Sequence, residues 1–74
     1  SHQDNEQLYP HFFAEATRVA VPHARMTVIT HEVRLLEQIA ARYQDFWQLE
    51  QVLKIRVSGM TPRCYFFRRE EGDI

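Results

Sequence analysis

The residues of this chain that could ligate a metal or act as a nucleophile are scattered histidines and a single cysteine. His11, His23 and His31 lie twelve and eight residues apart, and neither spacing brings two imidazoles to one turn of a helix. Cys64 has no second cysteine with which to form a C-x-x-C pair or a disulfide. We therefore predict no metal site and no cofactor. A lone cysteine in a strand is more often a small buried apolar residue than a nucleophile.

The carboxylates and glycines give equally little support to catalysis. Glu32 and Glu37 are five residues apart in a helical pattern, so they point in different directions and cannot act as a catalytic pair. A phosphate-binding loop needs several glycines, whereas the chain contains two, Gly59 and Gly72. We predict that the protein is not an enzyme and has no catalytic residues.

One segment does combine residue types that bind nucleic acid. The net charge is −1, yet residues 51–69 contain five basic side chains and no acid: Lys54, Arg56, Arg63, Arg68 and Arg69. Such cations pair with phosphates while aromatic rings such as Tyr65 and Phe67 stack on exposed bases. Because charge runs on strands are usually solvated, nucleic-acid binding is the alternative hypothesis for function.

Association with protein is the main hypothesis. A domain of 74 residues buries only about 60% of the surface of its unfolded chain, so its core is thin. Aromatic residues dominate the energy of protein interfaces, and Trp47, Tyr65 and Phe67 are the predicted partner-binding residues. We predict a non-catalytic interaction or dimerisation module that binds a second copy or another protein.

The periodicity of apolar residues predicts two helices. In residues 32–46 the apolar side chains recur at three- and four-residue spacing, beginning with Leu35, Leu36 and Ile39, and Thr30 is placed to accept N–H groups at the start of the helix. A first helix is predicted from about Pro10, a residue suited to a first turn, to Ala20.

Three strands complete the predicted domain. Residues 25–30 are rich in β-branched residues, and residues 52–58 alternate Leu53, Ile55 and Val57 with polar residues. Residues 63–69 follow a predicted turn at residues 59–62. The result is a small two-layer α+β domain of order α-β-α-β-β, with the helices packed on one face of a three-stranded sheet. The alternative keeps residues 45–55 helical and forms a winged helix with residues 56–69 as the wing.

The chain is expected to be a single domain over residues 1–74, with an ordered core at 8–70 and frayed ends at 1–7 and 70–74. No apolar run approaches the roughly 20 residues that span a bilayer, so no membrane partner is expected. One cysteine and no signal-peptide pattern favour a reducing cytoplasm.

Three stretches resemble the small sulfur-carrier domains of the TusA/SirA type over residues 9–69: YPHFF before the first helix, VPHARMTVIT into a strand and MTPRCYFFRR as the last strand. In that family a cysteine precedes the proline at the start of the first helix. Here Tyr9 precedes Pro10, and the leading strand is missing. A domain of this type without its sulfur-carrying cysteine is therefore a further functional alternative.

Overall fold

The computed structural model describes residues 2–70, with side chains from Asp4 onward, as two helices and one antiparallel sheet. In chain order the elements are α1 (His2–Val19), β1 (Arg25–Thr30), α2 (Val33–Arg42), β2 (Trp47–Lys54) and β3 (Arg63–Arg69). The strand order in the sheet is β1-β3-β2, so the last strand lies in the middle. The predicted α+β class and the order α-β-α-β-β are confirmed.

The first helix is longer than predicted, because α1 begins at His2 and carries Pro10 inside it. Residues 2–7 are polar, so apolar periodicity gives no sign of this extension. A tertiary contact anchors the middle of α1, since the Tyr9 hydroxyl lies 2.6 Å from Thr30 Oγ1. Residues 2–7 thus belong to α1, while Ser1 and residues 71–74 of the predicted frayed ends lie outside the described residues.

The second helix is shorter than predicted and ends at Arg42. Both Phe46 and Trp47 donate their N–H groups to the Tyr43 carbonyl at 2.9 Å, which turns the chain away from the helix axis and into β2. At the other end Thr30 Oγ1 accepts the N–H of Glu32, the residue before the helix, at 2.9 Å.

Residues 47–54 form a strand, so the winged-helix alternative is wrong. β2 pairs with β3 along its length and begins five residues before the predicted strand at 52–58. A β-bulge at Glu50 shifts the register between Leu49 and Gln51. Leu49 and Val52 therefore lie on the same side of the sheet although they are three residues apart. That spacing is typical of a helix, which explains the ambiguity of this segment.

The hairpin continues beyond β2 and β3 in the same register. Ile55 donates its N–H to the Pro62 carbonyl at 2.9 Å, and Val57 and Met60 exchange two hydrogen bonds of 2.9 Å. Ser58 and Gly59 both have positive φ, 50° and 78°, as a two-residue type I′ turn requires. The turn therefore lies at Ser58–Gly59 and not at residues 59–62, and we call residues 55–62 the hairpin arm.

The core lies between the helices and one side of the sheet. Phe13 from α1 is fully buried, with its ring 5.6 Å from that of Tyr43 and 5.8 Å from that of Phe67 in β3. Of the predicted helical stripe, Leu35, Leu36 and Ile39 are buried in this cluster, whereas Ala40 and Tyr43 are half-buried and Phe46 is exposed. The strands contribute four buried residues: Met26, Trp47, Tyr65 and Phe67. Every buried residue of this cluster thus lies on the helix-facing side of the sheet or on the helices themselves.

Candidate protein interface

The three predicted partner-binding aromatic residues lie in the core. Trp47, Tyr65 and Phe67 expose 5%, 1% and 3% of their surface. The Trp47 indole N–H donates to Thr17 Oγ1 at 2.9 Å, and the Tyr65 hydroxyl donates to a Glu37 carboxylate oxygen at 2.8 Å. Their polar atoms are thus satisfied within the chain, and these residues hold the helices on the sheet.

A groove between α2 and β2 reaches these rings from the surface. The groove has a volume of about 390 Å³, and its lining includes Trp47, Tyr65 and Phe67 together with Leu49 of β2. Leu49 and its neighbour on the same side, Val52, are 46% and 40% exposed. This groove borders all three of the predicted aromatic anchors.

The pKa of the Tyr65 phenol is raised above its ordinary value, first by burial and then by the hydrogen bond to Glu37. Because the folded chain holds this proton more tightly than the unfolded chain, the stabilisation is complete below about pH 10 and is lost as pH rises through the raised pKa. We expect the free energy of unfolding to fall more steeply above pH 10 in the wild type than in Tyr65→Phe. Urea unfolding from pH 7 to pH 11 measures the difference, and parallel pH profiles would contradict it.

The five predicted nucleic-acid-binding residues do not form one patch. Arg63 pairs with Glu37 of α2 at 3.5 Å, and Arg68 pairs with Glu50 at 2.7 Å on the other side of the sheet. Arg69 donates to the carbonyls of Phe46 and Glu70 at 3.2 Å and lies 5.1 Å from the centre of the Phe46 ring. Lys54 and Arg56 are exposed.

The side of the sheet away from the helices, here called the open face, carries a continuous run of apolar residues. Ile29, Cys64 and Leu53 lie directly opposite one another across all three strands. The same register pairs Ile55 with Pro62 and Val57 with Met60 along the hairpin arm, and opposed residues share a face. We call the set the apolar strip: Ile29, Leu53, Ile55, Val57, Met60, Pro62, Cys64 and Phe66.

Much of the apolar strip is accessible to solvent. Ile29 is 64% exposed, Leu53 43%, and Val57 and Met60 52% each, while Cys64 between Ile29 and Leu53 is buried. Neither of the two helices in residues 2–70 lies on this face. The charged residues of the open face lie at the end distant from the arm, where Arg25 is opposite Arg68, which is paired with Glu50.

The sequence shows the apolar side of this surface but not the face of the sheet on which it lies. The alternation of Leu53, Ile55 and Val57 against Lys54 and Arg56 predicts a half-buried strand, and either face of the sheet would satisfy it. The bulge at Glu50 and the pairing with β3 place those three residues on the open face. The signal that could have revealed it is the pair of adjacent aromatics Phe66 and Phe67, which must point to opposite sides of one strand.

A scan of protein-family models, a search of curated proteins and a search of solved structures each returned no match. The resemblance to sulfur-carrier domains therefore gains no support from these comparisons. Neither helix in the described part of the chain is long and apolar enough to cross a bilayer. Within residues 2–70, no group of three or more histidine, cysteine, aspartate or glutamate side chains is placed to hold a metal ion.

Proposed function

We propose that this domain is a non-catalytic protein–protein interaction module that binds by burying the apolar strip against another polypeptide. One observation carries the proposal: eight apolar residues lie in register on a sheet face that neither α1 nor α2 covers. The interaction surface is thus the opposite side of the hairpin from Trp47, Tyr65 and Phe67.

The sheet carries apolar residues on both of its faces, and each apolar face needs a covering layer. An antiparallel sheet with one face in water normally alternates apolar residues towards the core with polar residues towards solvent. Here the core side carries Tyr65 and Phe67, and the open face carries Cys64 and Phe66 of the same strand. A sheet that is apolar on both faces needs a layer on each side, and large exposed apolar patches mark interaction sites. The helices supply one layer, and a partner would supply the other.

Site-specific photo-crosslinking in the expressing cell tests this proposal. A photoreactive amino acid is placed at Leu53 on the open face, at Leu49 on the helix-facing side of the same strand, or at Val21 outside the sheet. Leu53 and Leu49 are matched controls, since they lie four residues apart and are 43% and 46% exposed, while Val21 is 67% exposed. The main difference between the three positions is therefore the surface of the domain on which each one lies.

We expect a discrete crosslinked polypeptide from position 53 and only background from positions 49 and 21. The identity of that polypeptide is not assumed, because a second copy and a different protein would both support an interaction module. Equal background from all three positions would contradict the proposal. Crosslinking confined to position 49 would move the interface to the α2–β2 groove.

Nucleic-acid binding is the second candidate, favoured by one feature of the hairpin arm. The register that places the apolar residues on the open face places Lys54, Arg56 and Arg63 together on the opposite side. The basic patch is therefore smaller than the predicted set of five, because Arg68 and Arg69 lie towards the other end of β3.

If this second function operates, the double variant Lys54→Ala, Arg56→Ala should weaken binding to a short single strand and flatten its salt dependence. Each lost phosphate contact removes about 0.7 from the slope of log affinity against log salt, so the pair removes about 1.4. Fluorescence anisotropy at salt concentrations from about 50 to about 300 mM measures the slope. Arg68→Ala is the matched control, since Glu50 holds Arg68 on the other face. Failure of the wild type to bind at low salt would exclude this candidate.

A further inference from the structure

We infer that the polypeptide covering the apolar strip is a second copy of this chain, packed face to face about a two-fold axis. The product would have four layers, with the two sheets in the middle and a pair of helices on each outside. This inference rests on the proposed function and adds the identity of the partner. Its support comes from the exposed area, from the distribution of charge and from the relief of the face.

The exposed area matches the requirement of one partner. The chain exposes 5492 Å², whereas a monomeric protein of 8.9 kDa typically exposes about 4,800 Å². The excess of about 700 Å², taken over the whole chain, is of the same order as the roughly 800 Å² that each partner buries in a standard interface.

The charge distribution of the open face is compatible with the packing of two identical copies. A two-fold interface brings the same patch of both copies together, so any unpaired charge within it meets its own copy. The apolar strip contains no ionisable side chain other than the thiol of Cys64, which is buried. The charged end of the face lies beyond the strip, where Arg68 pairs with Glu50 at 2.7 Å and Arg25 lies opposite Arg68. Two strips can therefore meet without repulsion between formal charges.

The sizes of the side chains along the strip also suit interdigitation with a second sheet. In the row that crosses all three strands, the small Cys64 lies between the larger Ile29 and Leu53. Stacked sheets pack about 10 Å apart when large and small residues of facing layers alternate. From Met60 to Phe66 the strip extends along the hairpin arm and β3 for about 20 Å at 3.3 Å per residue, long enough for several such rows.

Sedimentation equilibrium of the whole chain, from low to high micromolar concentration, tests the inference. The wild type is expected to approach twice its mass of 8.9 kDa as concentration rises. Leu53→Glu should weaken the dimer at least 100-fold, because the two-fold interface contains the buried carboxylate twice. Leu49→Glu and Val21→Glu carry the same substitution at exposed apolar positions off the open face and should leave the dimer intact.

A second variant guards against misfolding of the first. Val57→Glu lies on the hairpin arm, beyond the three-stranded part of the sheet, and circular dichroism will verify that the fold of both variants is kept. Val57→Glu should also weaken the dimer. Dimerisation that survives both variants, or that Leu49→Glu abolishes, would overturn the assignment of the open face. A wild type that stays monomeric would overturn the inference, while crosslinking of a different protein at position 53 would leave the proposed function standing.

Discussion

Phe13→Ala is expected to lower the free energy of unfolding by about 3–5 kcal/mol, the cost of removing a fully buried phenylalanine. The Phe13 ring contacts Tyr43, which follows α2, and Phe67 of β3, with ring centres 5.6 and 5.8 Å away, so it joins α1 to both other parts of the core. A 74-residue domain has a total stability of about 4–11 kcal/mol. The variant should therefore be largely unfolded at moderate urea, as measured by circular dichroism.

Phe12→Ala is the matched control for this prediction. Phe12 is the adjacent residue of α1 and is 43% exposed, whereas Phe13 has no exposed surface. Phe12→Ala should lower the free energy of unfolding by about 1 kcal/mol, because Phe12 buries a smaller apolar area than Phe13. Equal losses for the two variants would mean that α1 is rotated about its axis relative to the described packing.

Trp47→Ala is expected to lower the free energy of unfolding by a similar amount, about 3–5 kcal/mol. Under conditions in which the variant is folded, its self-association should be unchanged. Trp47 is 5% exposed at the start of β2, and its indole N–H bonds to Thr17 across the core. The test combines urea unfolding with sedimentation below the unfolding transition. Trp47→Phe, which keeps an aromatic ring but lacks the N–H donor, should lose only about 1–2 kcal/mol.

The opposite pattern would restore the sequence-based hypothesis for Trp47. If Trp47→Ala kept its stability but abolished association, the indole would be a contact residue of the α2–β2 groove and not part of the core. The effects of Trp47→Ala on stability and on association therefore distinguish the α2–β2 groove from the open face as the site of association. The described packing requires the loss to appear in stability.

The parts of the fold that the sequence predicted are those with simple periodicity. Leu35, Leu36 and Ile39 repeat at helical spacing and are buried, and the β-branched run at residues 25–30 is β1. The polar start of α1 has no such signal, because residues 2–7 contain no apolar residue. Tertiary contacts such as that between Tyr9 and Thr30 have no signature in local sequence.

The site was harder to predict because of one inserted residue. The bulge at Glu50 reverses which residues of β2 face the helices, and a shift of one residue moves a whole apolar set from one face to the other. The bulge thus turns Leu53 and Val57 to the open face, where they are exposed. On β3, the aromatic residues expected at the surface, Tyr65 and Phe67, face the helices and form part of the core. Neither the bulge nor the faces of the strands can be read from composition.

An isotope-filtered NOE experiment on an equal mixture of labelled and unlabelled chains detects contacts between two copies of the open face. We expect intermolecular cross-peaks between methyl groups of the apolar strip, with Ile29, Leu53 and Val57 as the strongest. Val21, which is 67% exposed outside the sheet, should give none. Intermolecular peaks confined to Leu49 and Val52, or the absence of such peaks at millimolar concentration, would contradict the account.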